Sequence, residues 1–207
     1  MVMHVYEGAL SCKALDKVII ATDSEEIYKI CTSYGAEVVI TGTCSSGTER
    51  VFSALDNLEE TYDIVINIQG DEPLIRSNHI QSLIDLFIKQ ETQIGTLAER
   101  MHSEDENQDK NTVKLIFKKG SEVNDFTRKP ITGEIKFKHI GLYAFKTEII
   151  PNLLAIKMTG RRRKESLEQL DWLLSGYSIF ANVIEGGLVS VDTAEDLKRV
   201  RGILEEE

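Results

Sequence analysis

The sequence predicts an α/β fold, with a mostly parallel sheet, helices on both faces and a small β-rich insert. Three observations carry this. Segments with apolar residues at helical spacing alternate with short β-branched runs through the first half, the runs read as buried strands, and strand-like segments then cluster between about residues 112 and 146. Val2, Val5, Tyr6, Ala9, Leu10 and Ala14 give the first helix, followed by a strand over residues 17–22. Ser24 can cap a second helix with Ile27, Ile30 and Cys31 on one face, Gly35 can end it, and residues 37–40 form the next strand. A loop over residues 41–47 leads to a helix over 48–58, and residues 63–68 make the clearest strand of the chain.

After Pro73 the alternation loosens. A helix over 78–89 precedes a strand over 94–99, and the polar stretch 101–111 reads as a mobile surface loop. Residues 112–118 and 137–145 look like strands able to pair, with 123–127 as a weaker third. Helices near 147–155 and 164–175, a strand over 178–184 and a helix over 193–204 complete the chain, and Glu205, Glu206 and Glu207 read as a solvated tail. With no repeat, low-complexity tract or linker, residues 1–207 are expected to form a single domain.

Composition narrows the function. The 24 Lys and Arg against 34 Asp and Glu leave a net charge of −10, which repels a phosphate backbone, so nucleic acid is not an expected partner. No run approaches the roughly 20 apolar residues that span a bilayer, and the first residues lack the layout of a secretory signal. The expected address is cytoplasmic, where Cys12, Cys31 and Cys44 stay reduced; their spacing matches no structural zinc site. GxGxxG, GxxxxGK[ST] and GxSxG are all absent, which removes the main support for a dinucleotide fold, a P-loop NTPase and a hydrolase triad.

The chemistry-bearing positions follow strands or open helices. Gln69-Gly70-Asp71-Glu72-Pro73 comes directly after the clearest strand, where open α/β sheets bind ligands. Asp71 there is a magnesium ligand, or the acid of an Asx-turn or of a helix N-terminus, and Glu72 reads as solvated or structural. Asp192 ends an apolar run and opens a helix, so it reads as an N-cap with Glu195, or as a second magnesium ligand if it converges with Asp71. Ser46 and Glu49 have capping-box spacing; the same helix start can hold an anion or a base edge, and Arg50 adds a bidentate fork. His139 and Tyr143 share a strand face, as structural residues or as ligand contacts, and Arg161 to Lys164 is a solvated basic patch or a phosphate contact. In residues 165–170, Leu167 and Leu170 supply the core while Glu165, Glu168 and Gln169 point elsewhere.

Taken together, Ser46-Gly47-Thr48-Glu49-Arg50, residues 66–73, His139-Ile140-Gly141-Leu142-Tyr143, Leu167-Glu168-Gln169-Leu170 and residues 191–197 resemble, in order, the motifs of the 3-deoxy-manno-octulosonate (Kdo) cytidylyltransferases of lipopolysaccharide biosynthesis. The resemblance implies a Rossmann-like nucleotidyltransferase fold, a homodimer, and the joining of CTP and Kdo with release of pyrophosphate. It implies Asp71 and Asp192 as catalytic ligands of Mg2+. It further implies that Ser46, Gly47, Thr48 and Gln69 face the nucleotide, and that Arg50, Arg128, His139, Tyr143, Glu168 and Gln169 shape the sugar pocket. The family's opening strand and its Arg- and Lys-bearing phosphate loop have no counterpart here, and Asp171 stands where the family commonly has a basic residue. An N-terminally short chain is therefore expected, and a non-catalytic member that binds sugar or a partner without CTP turnover is the alternative reading.

Overall fold

The computed structural model describes residues 1–89, 91–186 and 188–205, so Glu206 and Glu207 of the expected tail lie outside the described residues. The chain forms two compact units: Met1–Tyr62, Asn67–Gln81 and Gly187–Glu207 make one, Asp63–Ile66 and Ser82–Gly186 the other.

The first unit is built on two short strands, β1 (Ile20–Thr22) and β2 (Val38–Ile40), which pair in parallel with Ile20 opposite Val38. Helix α1 (Val2–Leu10) lays Val2, Met3 and Tyr6 on a cluster of Ile20, Cys31 and Ala36, and the Tyr6 hydroxyl accepts the Glu37 N–H at 3.1 Å. Helix α2 (Glu25–Ser33) starts as expected: the Ser24 hydroxyl accepts the Ile27 N–H, and Glu25 and Glu26 sit in the first turn, where negative charge is favoured. Gly35, at φ +82°, follows its end. The expected apolar face of α2 is narrower than its spacing suggested. Cys31 is buried, but Ile27 and Ile30 stay exposed, because a two-stranded sheet covers only a thin stripe of a helix. Helix α3 (Gly47–Leu55) is capped by Ser46, and the unit also carries α9 (Ala194–Glu205).

The second unit holds a six-stranded sheet in the order β3 (Ile64–Asn67), β7 (Phe137–Lys146), β4 (Ile94–Arg100), β8 (Ile179–Ile184), β6 (Glu122–Thr127) and β5 (Lys114–Lys119). The α/β class holds, but the sheet is mixed. Strands β4 and β8 run parallel, whereas β4–β7, β5–β6 and β6–β8 are antiparallel. The cause is the insert, whose strands are joined without covering helices and so reverse direction; Gly120, at φ +60°, turns β5 into β6. Strand β5 also returns to β7, with Leu115 opposite Phe137, which curls β7, β4, β8, β6 and β5 on themselves. Ile94, Leu97, Phe126, Leu142, Phe145 and Ile179 are fully buried along these strands. Among the described residues, β1, β2 and β3 each pair with a neighbour on one side only.

Two other expectations change. Residues 101–111 are not a bare loop. They contain α5 (Glu104–Gln108), closed by a full capping box between Ser103 and Glu106, and Asn107 is buried with its carboxamide bonded to the backbone of Ile131. The helix expected over 164–175 is two, α7 (Gly160–Glu165) and α8 (Gln169–Leu174), because Ser166 adopts φ 54° and ends the first. A 3-10 turn over Thr147–Ile149 precedes α6 (Ile150–Leu154). Helix α4 (Ser77–Lys89) follows the turn after β3.

The packing of α1 yields a direct test. A Cβ added at Gly8 would lie 2.4 Å from the Ile75 carbonyl oxygen and 2.9 Å from its Cγ2. Backbone cannot yield as a side-chain tip can, so Gly8→Ala should destabilise the protein by about 2 kcal/mol in urea unfolding; an unchanged midpoint would show that α1 does not pack this way.

Candidate active site

The chain turns immediately after β3. The Glu72 N–H bonds the Gln69 carbonyl at 3.2 Å, and Ile75 N–H bonds the Glu72 carbonyl at 3.1 Å, which places Asp71 and Glu72 on a tight, half-buried turn. A second segment joins it from far along the sequence. The Val191 N–H donates to the Asp71 carbonyl at 2.9 Å, and the Ser190 hydroxyl donates to the Glu72 carboxyl. Asp71 and Asp192 are thereby close enough to feel each other's charge: burial raises the Asp71 pKa, and Asp192 raises it further.

Asp192 does not cap α9. That role falls one residue later, where the Thr193 hydroxyl accepts the Asp196 N–H while the Asp196 carboxylate accepts both the N–H and the hydroxyl of Thr193. The Asp192 carboxylate makes no hydrogen bond to the described residues. No group of three or more His, Cys, Asp or Glu able to hold a metal exists among the described residues. Two carboxylates suit magnesium, which takes few protein ligands and completes its shell with phosphate oxygens and water.

Glu72, by contrast, is 4% exposed; one oxygen holds Ser190 and the other is buried without a partner. Burial pushes its pKa up to about 7 against the Ser190 hydrogen bond, with Asp71 and Asp192 adding to the rise. The sequence reading placed Glu72 as solvated or structural and passed over Ser190. A serine in an apolar run was the available signal.

The helix start at α3 is assembled around Gln69. The Ser46 hydroxyl accepts the Glu49 N–H at 3.2 Å, while the Glu49 carboxylate reaches back to the N–H and hydroxyl of Ser45, at 2.6 and 2.5 Å. A Cβ at Gly47 would sit 3.0 Å from the Gln69 carboxamide, so the turn accepts no larger residue without moving Gln69. The Gln69 amide donates to Asn67 Oδ1 at 3.2 Å, and the Asn67 amide points to the Thr48 hydroxyl at 3.4 Å. The structure thus brings Ser46, Gly47, Thr48 and Gln69 together. Asn67, 2% exposed, is the link that the strand pattern hid. Arg50 points to the ends of β1 and β2, donating to Thr41 Oγ1 at 2.7 Å and Asp23 Oδ2 at 3.0 Å, and it holds the Asp23 carboxyl below its usual pKa.

In the second unit, His139, Tyr143, Phe145 and Trp172 form an aromatic cluster with centroid separations of 5.2 Å for His139–Tyr143, 5.1 Å for Tyr143–Trp172 and 5.2 Å for Phe145–Trp172. The Tyr143 hydroxyl is buried without a partner, and burial together with the Glu168 charge raises its pKa. Burial lowers the His139 pKa to about 3, so the ring is neutral at pH 7. Glu168 pairs with Arg162 at 3.4 Å, and Gln169, largely buried, opens α8. Arg128 is anchored by backbone carbonyls, Nε to Glu165 and Nη1 to Lys110 and Asn111, while Nη2 has no partner among the described residues. The basic run is not simply solvated: Arg161 pairs with Asp125 at 2.8 Å, and Arg162 pairs with the buried Asp171 at 3.0 Å. Asp171 also accepts the N–H and hydroxyl of Thr159. The positive charge near Asp171 therefore comes from Arg162, which the sequence reading treated only as part of a surface run.

Acids at a strand end suit group transfer that works by positioning and electrostatics. Residues 1–179 match the family model described as Cytidylyltransferase, which fixes the class. The chain is 37% identical to 3-deoxy-manno-octulosonate cytidylyltransferase of Thermodesulfovibrio yellowstonii, covering 96% of this chain and 85% of that one. It is 36% identical to the protein of the same name from Francisella tularensis, over 97% and 86% of the two chains. A solved structure of CMP:2-keto-3-deoxy-manno-octonic acid synthetase complexed with CTP superposes with a TM-score of 0.93 at 28% identity, over 99% of this chain and 87% of that one. A 4-diphosphocytidyl-2C-methyl-D-erythritol synthase from Anaerococcus prevotii, at 18% identity and a TM-score of 0.65, shares the fold. The chain belongs to the 3-deoxy-manno-octulosonate cytidylyltransferase family.

Glu72 gives this site a pH signature. Its folded-state pKa lies above the ordinary 4.5, so the stability it contributes is complete below about pH 4.5 and is lost as pH rises through about 7. Glu72→Gln keeps the shape and removes the titration. Between about pH 5 and pH 8 the unliganded wild type should lose about 2 kcal/mol more than the variant in urea unfolding; parallel pH profiles would mean that Glu72 is not held protonated.

Proposed function

We propose that this chain is a cytidylyltransferase that joins CTP to 3-deoxy-D-manno-octulosonate and releases pyrophosphate, supplying CMP-Kdo for lipopolysaccharide biosynthesis. The observation that carries the reading is the 2.9 Å bond from Val191 to the Asp71 carbonyl, which gathers two carboxylates, 121 positions apart in sequence, at the end of β3. Family membership and the likeness to a CTP-bound synthetase support the choice of nucleotide.

In this reading Asp71 and Asp192 hold magnesium, which when bound neutralises charge on the triphosphate and on the sugar hydroxyl. Ser46, Gly47, Thr48 and Gln69 receive the nucleotide, and Asn67 holds the Gln69 amide in place. Arg50, Arg128, His139, Tyr143, Glu168 and Gln169 receive the sugar acid. The free Nη2 of Arg128 suits a carboxylate and the unpartnered Tyr143 hydroxyl suits a sugar hydroxyl. The anomeric oxygen attacks the α-phosphorus as the bond to the bridging oxygen breaks; pyrophosphate leaves with that oxygen, and the hydroxyl proton passes to solvent. No covalent intermediate is required, so the residues act by holding the two substrates in line. The same reading takes a homodimer as the working state and the cytoplasm as its place.

Pyrophosphate release by this chain with CTP, Kdo and magnesium, with the CMP-sugar confirmed by mass, tests it. Asp71→Ala should lower kcat/KM by at least ~100-fold. A folded wild-type chain that releases no pyrophosphate would overturn the catalytic reading and leave a member that binds without turnover.

A further inference from the structure

Strand β7 bulges where it passes β4. Thr96 lies opposite Tyr143, but the next residue of β4, Leu97, lies opposite Ile140, so β7 spends two extra residues, Gly141 and Leu142, on that step. At this bulge one fully buried side chain meets two carbonyls of β7. The Thr96 hydroxyl lies 2.7 Å from the Leu142 carbonyl and 3.2 Å from the Ile140 carbonyl, and 2.9 Å from His139 Nε2.

A hydroxyl has a single proton to give and two lone pairs to accept with. If His139 Nε2 were the acceptor, the Thr96 proton would be spent on it, and two buried carbonyl oxygens would face a hydroxyl oxygen with no hydrogen between them. With the Leu142 oxygen only 2.7 Å away, that arrangement sets lone pair against lone pair and is unfavourable. With the proton given to the carbonyls, the hydroxyl accepts, and Nε2 must carry the ring proton. The other nitrogen, Nδ1, then bears the lone pair. His139 makes no hydrogen bond through Nδ1 among the described residues, and the residue is half-buried.

We infer that Thr96 is a positioning residue that fixes His139 as the Nε2–H tautomer, so that Nδ1 is presented as a hydrogen-bond acceptor for a hydroxyl of the polyhydroxylated sugar acid. The substrate half rests on the function proposed above; the tautomer half rests only on the Thr96, His139, Ile140 and Leu142 geometry. Low basicity of the buried ring supports it, since a neutral imidazole keeps one acceptor nitrogen at working pH.

The experiment is long-range proton–nitrogen NMR of the histidine rings in the full-length protein, assigned by comparison with His139→Gln, beside steady-state kinetics. At pH 7 the His139 ring should show the Nε2–H pattern. Thr96→Val should lose that pattern and raise KM for Kdo about 10-fold while leaving KM for CTP within about twofold, the change expected for one neutral hydrogen bond. Thr96→Ser should restore both, which a purely structural role for the threonine methyl would not allow. An Nδ1–H or protonated ring in wild type overturns the inference whatever the substrate, and that spectrum stands even if Thr96→Val fails to fold. A Thr96→Val protein with unchanged spectrum and unchanged KM for Kdo overturns it as well. The expected tautomer in a wild-type protein that neither binds nor turns over Kdo would overturn the substrate half together with the proposed function, while leaving Thr96 as the group that sets the His139 tautomer.

Discussion

A single backbone hydrogen bond, Val191 N–H to the Asp71 carbonyl, organises the chemistry of the first unit. It ties the turn after β3 to the segment before α9, and every other property of the acid cluster follows from that junction. Like charges do not gather spontaneously, since each raises the cost of ionising its neighbour. Here the backbone bond and the Ser190–Glu72 contact hold the segments together, and burial keeps Glu72 protonated well above its ordinary range. Of the three acids, Glu72 is the one bonded into the junction, through Ser190. Moving the helix cap from Asp192 to Thr193 matters as well: a carboxylate spent on helix amides would have less to offer an ion.

The second unit solves a different problem with the same economy of groups. In its curled, mixed sheet β7 carries a two-residue bulge, and the Thr96 hydroxyl meets the Ile140 and Leu142 carbonyls there. Tyr143, which directly follows the bulge and faces Thr96, has a buried hydroxyl without a hydrogen-bond partner among the described residues. A buried orphan of this kind costs about 1–3 kcal/mol. Arg128 follows the same logic from the other direction. Backbone carbonyls fix its Nε and Nη1, so the orientation of its remaining nitrogen is set by the fold.

Local signals were legible in the sequence where one residue acts on its own neighbours. Ser24 and Ser46 cap the helices that their positions announced, and β3 lies where the densest β-branched run placed it. Ser103-x-x-Glu106 carried an equally local message, a capping box, that the polarity of its surroundings masked. What could not be read was long-range partnership. Thr96 and Asn67 sit inside strand patterns that explain them as sheet residues, and Ser190 and Arg162 sit in runs whose bland reading was sufficient. Cys31, Ile27 and Ile30 show the limit of periodicity itself: it gives the direction of a face, while the size of the sheet beneath decides how much of that face is buried. The mixed order of the six-stranded sheet has the same origin, because short turns within the insert outweigh the α/β alternation on either side.

If Asp71 and Asp192 serve one ion, their contributions to magnesium-dependent CTP binding are not independent. The direct measurement is calorimetric titration of CTP with magnesium into wild type, Asp71→Asn, Asp192→Asn and the double variant. A shared ion predicts that the double variant binds within about threefold of the weaker single variant, a coupling of at least ~1 kcal/mol. Losses that simply add would mean that the two carboxylates act separately, and the junction between Val191 and Asp71 would then have no part in assembling the site.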